Sequence, residues 1–188
     1  TGEKETILWL GKELEINPEK IFEMVKMIRE GFEMYEEYER KKKNGATRKI
    51  SKPIKPLLTI QNRINKSILR FQKPGKNVFG FSGGCATDAI RPHLKANSIL
   101  CVDFKDAFPS VSKKAVFELL FGKNKGGGIF YFHAAKIVAE LVAHNDALPQ
   151  GAPTSPRIFD LVCKPLDKRL NDLAEMAGGR YTRYADNI

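Results

Sequence analysis

Two short apolar runs, far apart in the chain, each lead to an aspartate. Residues 98–104 read Ser-Ile-Leu-Cys-Val-Asp-Phe and carry Asp103, and residues 180–185 run into Asp186. Both have strand character, and the first is the clearest candidate for a buried strand in the chain. A buried strand tolerates a charge at its end only with a partner or a metal. The two side chains therefore either cap neighbouring helices or converge on a cation, and spacing alone leaves both readings open. Hard carboxylate oxygens suit Mg²⁺, which keeps positions free for phosphate oxygens. Two such strands side by side would hold two ions about 3.5–4 Å apart.

Around these runs the sequence is mostly helical by period. Residues 4–14 carry a short helical pattern. Asn17 is placed as an N-cap with Pro18 at the first helical position, and Ile21, Val25, Ile28, Phe32 and Tyr35 form one stripe. That helix is expected to run into the basic stretch Arg40-Lys41-Lys42-Lys43 and to stop at Asn44-Gly45. Residues 48–51 read as a strand, and Leu57, Ile60, Ile64, Ile68 and Phe71 mark a second amphipathic helix. Residues 73–86 form a Gly-rich loop. Ser112 is placed to cap a helix through Phe121, residues 122–128 connect it onward, and a further helix covers 130–144. After a Pro/Gly loop at 148–154, Ser155-Pro156 opens a helix with the stripe Phe159, Val162, Leu166, Leu170 and Leu173, ended by Gly178-Gly179. The fold class is α+β.

The chain has 188 residues, enough for one domain or a two-lobed unit with a sizeable core. No run approaches the ~20 apolar residues of a spanning helix, so no membrane partner is expected. Cys85, Cys101 and Cys163 are odd in number and lack CxxC spacing, which speaks against a disulfide framework or a zinc site and for a reducing compartment. Lys and Arg number 32 against 22 acids, a net charge of +10 that favours a polyanionic partner. Gly80-Phe81-Ser82-Gly83-Gly84 fits the G-x-S-x-G of a nucleophile elbow, but the preceding Lys73-Pro74-Gly75-Lys76-Asn77 leaves little room for the strand an elbow needs.

Asp103-Phe104-Lys105-Asp106-Ala107-Phe108 resembles motif A of reverse transcriptases. Leu148-Pro149-Gln150-Gly151-Ala152-Pro153-Thr154-Ser155-Pro156 resembles their motif B, and Tyr184-Ala185-Asp186-Asn187 the YxDD of motif C, in the family's order. Upstream, Arg48-Lys49-Ile50-Ser51-Lys52-Pro53, followed by Leu57 and Gln61, is similar to the fingers segment of bacterial enzymes of the retron and group II intron lineage. Asp88-Ala89-Ile90-Arg91-Pro92-His93 is close to the Asn-Ala-x-x-His of retron enzymes, with Asp for Asn and one extra residue. Retron, intron-encoded and phage-defence enzymes all share the three motifs.

The resemblance implies an RNA-directed DNA polymerase of the bacterial cytoplasm. Such an enzyme adds deoxynucleotides to a primer 3′-hydroxyl with two Mg²⁺ ions, or Mn²⁺ in their place. Its implied partners are an RNA template, a DNA or RNA primer, dNTPs and a structured non-coding RNA. The implied fold is a right-hand polymerase with fingers at 1–97 and 113–147 and palm at 98–112 and 148–188. Its small antiparallel palm sheet would stop at the motif C turn, with the return strand and thumb absent.

The roles are likewise those of the matching motif positions. Asp103, the carbonyl of Phe104, and Asp186 are the implied metal ligands, with Asn187 completing the catalytic positions. Asp106 and Ala107 match backbone amides that meet the triphosphate. Phe108 matches the bulky residue under the sugar, whose ring would collide with a 2′-hydroxyl. Gln150 and Gly151 match the motif B loop beside the incoming base. Arg48 matches the fingers arginine on the triphosphate, accompanied by Lys42. Lys41, Lys43, Lys49, Arg63, Lys73 and Lys76 are expected along the template path. The departure is Asn187, where the family carries a second aspartate. An amide oxygen brings no charge to a site held by summed negative charge, which implies impaired catalysis. The competing expectation is a catalytically inactive RNA-binding or scaffold protein of the same fold.

Overall fold

The structure, a computed structural model, describes residues 2–41, 45, 47–81, 83–122 and 128–188. Helix α6 (Phe132–Val142) buries seven residues between Ala134 and Val142 and leaves a narrow polar stripe of His133, Lys136 and Glu140. So wide an apolar face belongs against the core. Helices α1 (Glu3–Leu14), α2 (Pro18–Arg29), α3 (Lys55–Ser67) and α5 (Lys113–Phe121) all pack on it. Leu10, Leu14, Ile21, Leu57, Ile64, Val116 and Leu120 supply the facing side chains in one continuous core. Asn17 caps α2 by accepting from the Glu19 amide at 2.9 Å, and Ser112 caps α5 by accepting from the Ala115 amide at 3.1 Å.

The helix expected to reach the basic stretch stops early. Gly31 adopts φ +82°, and the Gly31 and Phe32 amides donate back to the carbonyls of Ile28 and Met27. This double bond pattern is a Schellman cap, which ends a helix in a left-handed residue. The chain then forms β1 (Tyr35–Lys41), an antiparallel ribbon with β2 (Thr47–Pro53) in which Tyr35 faces Pro53 and Arg40 faces Arg48. Lys41 is thus the last residue of a strand, and Lys42 and Lys43 lie outside the described residues. So do Ser82 and residues 123–127.

Four further expectations are corrected. The segment 98–104 is exposed rather than buried, with Leu100 83% and Ile99 62% accessible; only Asp103 makes a bridge, to Asn187. The helix from Ser155 is two helices, α7 (Ser155–Val162) and α8 (Lys164–Met176). Pro165 sits at the second position of α8 and has no N–H to continue the α7 ladder. The N-cap of α7 is Thr154 rather than Ser155, whose hydroxyl instead donates to the Pro149 carbonyl at 2.7 Å. Finally, the expected antiparallel palm sheet is realised as short pieces. Strand β3 (Val78–Phe79) pairs in parallel with β4 (Arg183–Tyr184), and the antiparallel pairing lies beyond the turn that follows. The remaining helix, α4 (Ala86–Ile90), closes the Gly-rich segment. Among the described residues, no helix is long and apolar enough to cross a membrane.

Candidate active site

Tyr184 and Asn187 exchange backbone hydrogen bonds of 2.8 and 3.0 Å, closing a two-residue hairpin over Ala185 and Asp186. Ala185 carries φ +57°, the sign a type II′ turn requires at its first central residue. The return strand, expected to be missing, begins at once. Val102 and Ile188 exchange two bonds of 2.8 Å, and the Phe104 amide donates to the Asp186 carbonyl at 3.0 Å. Asp103 and Asn187 are therefore a directly opposed pair without mutual hydrogen bonds. Such pairs bring Cα atoms to about 4.5 Å with both side chains on one face. Asp186 joins them, since Asn187 Nδ2 donates to Asp186 Oδ1 at 3.2 Å.

These three side chains lie together at the turn. Among the described residues no cluster of three or more His, Cys, Asp or Glu side chains is placed to hold a metal ion. Asp103 and Asp186 fit a hard divalent ion in the kind of oxygen they present. The third side chain presents an amide nitrogen to Asp186, so the set falls one negative charge short.

The rest of motif A turns sharply away. Asp106 is left-handed at φ +49°, and its carbonyl accepts from the Ser110 amide at 2.9 Å. Among the described residues the Asp106 and Ala107 amides donate to no backbone carbonyl. Ala107 itself is buried, whereas Asp106 is exposed. Phe108 is half-buried, its ring 5.7 Å from that of Phe159 on α7 and 5.6 Å from that of Phe81 on the Gly-rich loop. Phe104 meets Phe159 as well, at 5.8 Å, so motif A rests on the helix that follows motif B.

Motif B is tied on both sides. The Leu148 amide donates to Val111, and the Gln150 carbonyl accepts from Ser51 of β2 at 2.8 Å. Gly151 has φ +129°, and a Cβ there would lie 2.9 Å from Ile50 Cγ2 and from the Ser51 carbonyl oxygen. The absent Cβ of Gly151 is what lets the β2 backbone come this close. Gln150, beside it, is half-buried. Arg48, two residues from Ile50 and so on the same strand face, projects from the side of the ribbon that meets motif B.

The expected template-path residues divide. Lys73 and Lys76 are exposed on the Gly-rich loop, and Lys41 is exposed at the ribbon end. Lys49 is paired with Glu37 at 2.5 Å and Arg63 with Glu15 at 2.6 Å. The Lys49 ammonium and His144 beside Glu37 hold that carboxyl below the usual carboxylate range.

Sequence reasoning missed the group beneath the turn. Arg183 is fully buried and makes a two-point contact with Asp167, at 2.8 and 2.9 Å, while also reaching Asp160 at 2.9 Å. Asp160 on α7 and Asp167 on α8 are both buried, but they lie on separate helices and meet only through Arg183, so no local pattern marks them. Leu166 and Leu173, expected in the stripe, are 38% and 59% exposed.

The layout is thus two motif carboxylates on one antiparallel ladder beside a tight turn, with motif B bonded to a basic ribbon. The family model for reverse transcriptase (RNA-dependent DNA polymerase) matches residues 40–188, and the chain belongs to that family, in its bacterial retron-type branch. It is 30% identical to the retron Ec86 reverse transcriptase of Escherichia coli, over 80% of this chain and 46% of that protein. The retron Mx162 and Mx65 reverse transcriptases of Myxococcus xanthus are 34% and 30% identical, each over 78% of this chain and 33% and 38% of their own lengths. The chain thus spans between a third and a half of the relatives it matches.

Proposed function

We propose that this chain is the fingers and the start of the palm of an RNA-directed DNA polymerase, weakened in its metal site by Asn187. Residues 1–97 and 113–147 would form the fingers, and 98–112 with 148–188 the palm. The observation that carries this reading is the Asp103–Asn187 strand pairing, which gathers both motif carboxylates onto one ladder.

Asp103, Asp186 and the Phe104 carbonyl would hold divalent ions, which when bound activate the primer 3′-hydroxyl and offset charge on the departing pyrophosphate. The chain's own residues position the nucleotide. The unengaged amides of Asp106 and Ala107 point to a contact with triphosphate oxygens. Arg48 would grip the same group from the ribbon, with Lys42 as its companion. Phe108, braced by Phe81 and Phe159, would lie under the sugar and exclude a 2′-hydroxyl. The braced position resists the rotation that would let a ribose pass.

A second reading, a non-catalytic RNA-binding member of the same fold, is favoured by one contact. The Asn187 amide donates to Asp186 and so satisfies, without any ion, a carboxylate that would otherwise call for one. Asn187→Asp separates the two. In the polymerase reading the substitution places two carboxylates side by side and should tighten Mn²⁺ binding about tenfold by titration calorimetry, since site affinity follows ligand charge. Mg²⁺-dependent primer extension, measured on the protein at its relatives' full length, should rise with it. Unchanged Mn²⁺ affinity and no extension in either form would establish the second reading.

A further inference from the structure

Arg183 has the largest fully buried side chain among the described residues, and its fork is used at every nitrogen. Nε and Nη2 donate to the two oxygens of Asp167 on α8, at 2.8 and 2.9 Å. Nη1 donates to Asp160 of α7 at 2.9 Å and to the Ala185 carbonyl at 2.7 Å. Tyr181 adds a hydroxyl donor to Asp167 at 2.7 Å, and the guanidinium lies over the Phe159 ring, 5.4 Å from its centroid. Burial together with the Asp167 contact pushes the Tyr181 phenol well above its ordinary range.

A buried ion cluster of this kind is a weak source of stability, because desolvation consumes most of its Coulomb attraction and apolar side chains could fill the volume. The distinctive contact is the fourth one. Ala185 is a non-glycine residue in the left-handed region, a conformation that persists only where its surroundings impose it. Its amide is held by the Phe79 carbonyl at 3.0 Å and its carbonyl by Arg183, so both its N–H and its C=O are fixed. Gly80 leaves the room for this: a Cβ there would lie 3.1 Å from the Ala185 nitrogen. The next residue is Asp186.

We propose that Arg183 is a positioning residue: by tying the Ala185 carbonyl to Asp160 and Asp167 it locks the motif C turn onto the motif B helices, and so sets where the Asp186 carboxylate points relative to Asp103. Its importance to catalysis rests on the reading of Asp103 and Asp186 as a metal pair; the lock itself does not. An arginine suits the place because its planar five-donor fork makes the two-oxygen contact with Asp167 and still bonds Asp160 and the Ala185 carbonyl, four bonds against the three donors of a lysine.

The test is amide hydrogen exchange by NMR on the whole chain, in two variants. Arg183→Lys keeps the charge but cannot span all three acceptors. Arg183→Met with Asp160→Asn and Asp167→Asn removes the buried charges together, so that no carboxylate is left buried without its cation. In both, the amides of Ala185, Asn187 and Ile188 should exchange at least about tenfold faster relative to those of Leu10, Ile64 and Val138, the signature of local opening. A rise shared equally by the core amides, exchange at the turn unchanged from the parent, or loss of the fold in both variants would overturn the lock and leave Arg183 a purely structural residue. Mn²⁺ line broadening at Asp103 and Asp186 in the parent tests the metal reading separately. Its absence would remove that reading while the exchange data still decide on Arg183.

Discussion

At the scale of single residues, the site is built from backbone conformations that most side chains avoid. Asp106, Ala185 and Gly151 have φ of +49°, +57° and +129°, and each stands in one of the three motifs. Gly151 is the least replaceable, since its φ lies in the region open essentially to glycine and its missing Cβ is what lets motif B touch β2. Gly151→Ala would have to push Ile50 and the Ser51 carbonyl away, both already at 2.9 Å from the built Cβ. We expect a loss of about 2 kcal/mol or more in urea unfolding, the scale of an overpacked, strained position. The Ser51 amide should lose exchange protection at the same time, because its bond to Gln150 spans the same contact. An alanine variant as stable as the parent, with Ser51 still protected, would mean that motif B does not depend on this close approach. The asymmetry with Asn187 is instructive: there the exchange of a carboxylate for an amide leaves the backbone ladder intact and changes only the charge and one side-chain bond, that to Asp186.

At the scale of elements, what could be read from the chain followed from how local its cause is. The caps at Asn17 and Ser112, the core face of α3 and the order of the three motifs were legible because each depends on a few neighbouring residues. The β1–β2 ribbon was not. The stripe Ile21, Val25, Ile28 continues at helical spacing into Phe32 and Tyr35, and β1 buries only Tyr35, so it lacks the alternation that marks a strand. Gly31 was the available signal, and its double cap outweighs the stripe. The break between α7 and α8 was legible in Pro165 but hidden by a stripe that runs through it. The cluster beneath motif C depends on tertiary contact, and no sequence period announces it. These helices also carry a pH signature. Burial pushes the Cys163 thiol, between α7 and α8, up to about 11, and the Tyr35 phenol at the start of β1 up to about 12. Unfolded, these groups titrate near 8.5 and 10. Both lose charge-free burial when ionised, so their contribution is whole below the unfolded values and disappears as pH rises through the folded ones. Stability should therefore fall from about pH 9 upward, with a slope approaching ~1.4 kcal/mol per pH unit for each group. Cys163→Ala should delay the onset toward pH 10 in urea midpoints taken across this range. An onset unmoved by Cys163→Ala would show that its thiol is not sealed from solvent in the folded state.

At the scale of the whole molecule, the excess of +10 has to act through the cations that are not already matched to acids. Lys49, Arg63 and Arg29 are engaged with Glu37, Glu15 and the pair Glu3 and Glu140. The ribbon differs: Arg40 and Arg48 face each other directly across the ladder, with Lys41 one residue further along. Like charges opposed in this way repel, and a bound polyanion would relieve the repulsion. Arg40 and Arg48 project on the face that meets motif B, where a template strand entering the site would have to pass, while Lys41 alternates to the other face at the ribbon end. Contacts of this kind read phosphate rather than sequence, and each phosphate neutralised on a single strand steepens the fall of log K with log salt by about 0.7. Fluorescence anisotropy with unstructured RNA should thus give affinities that drop steeply from low to moderate salt and vary little between sequences. Reversing Arg40, Arg48 and Lys41 together to Glu should flatten that slope by about 2. The same reversal of Lys73 and Lys76 should flatten it less, because they are two charges on a loop rather than three on a ribbon. Asn187→Asp should leave it unchanged, since in the proposed reading that side chain serves the metal site and not the strand. Binding insensitive to salt, or untouched by the ribbon reversal, would put the template on another face and remove the ribbon from the fingers.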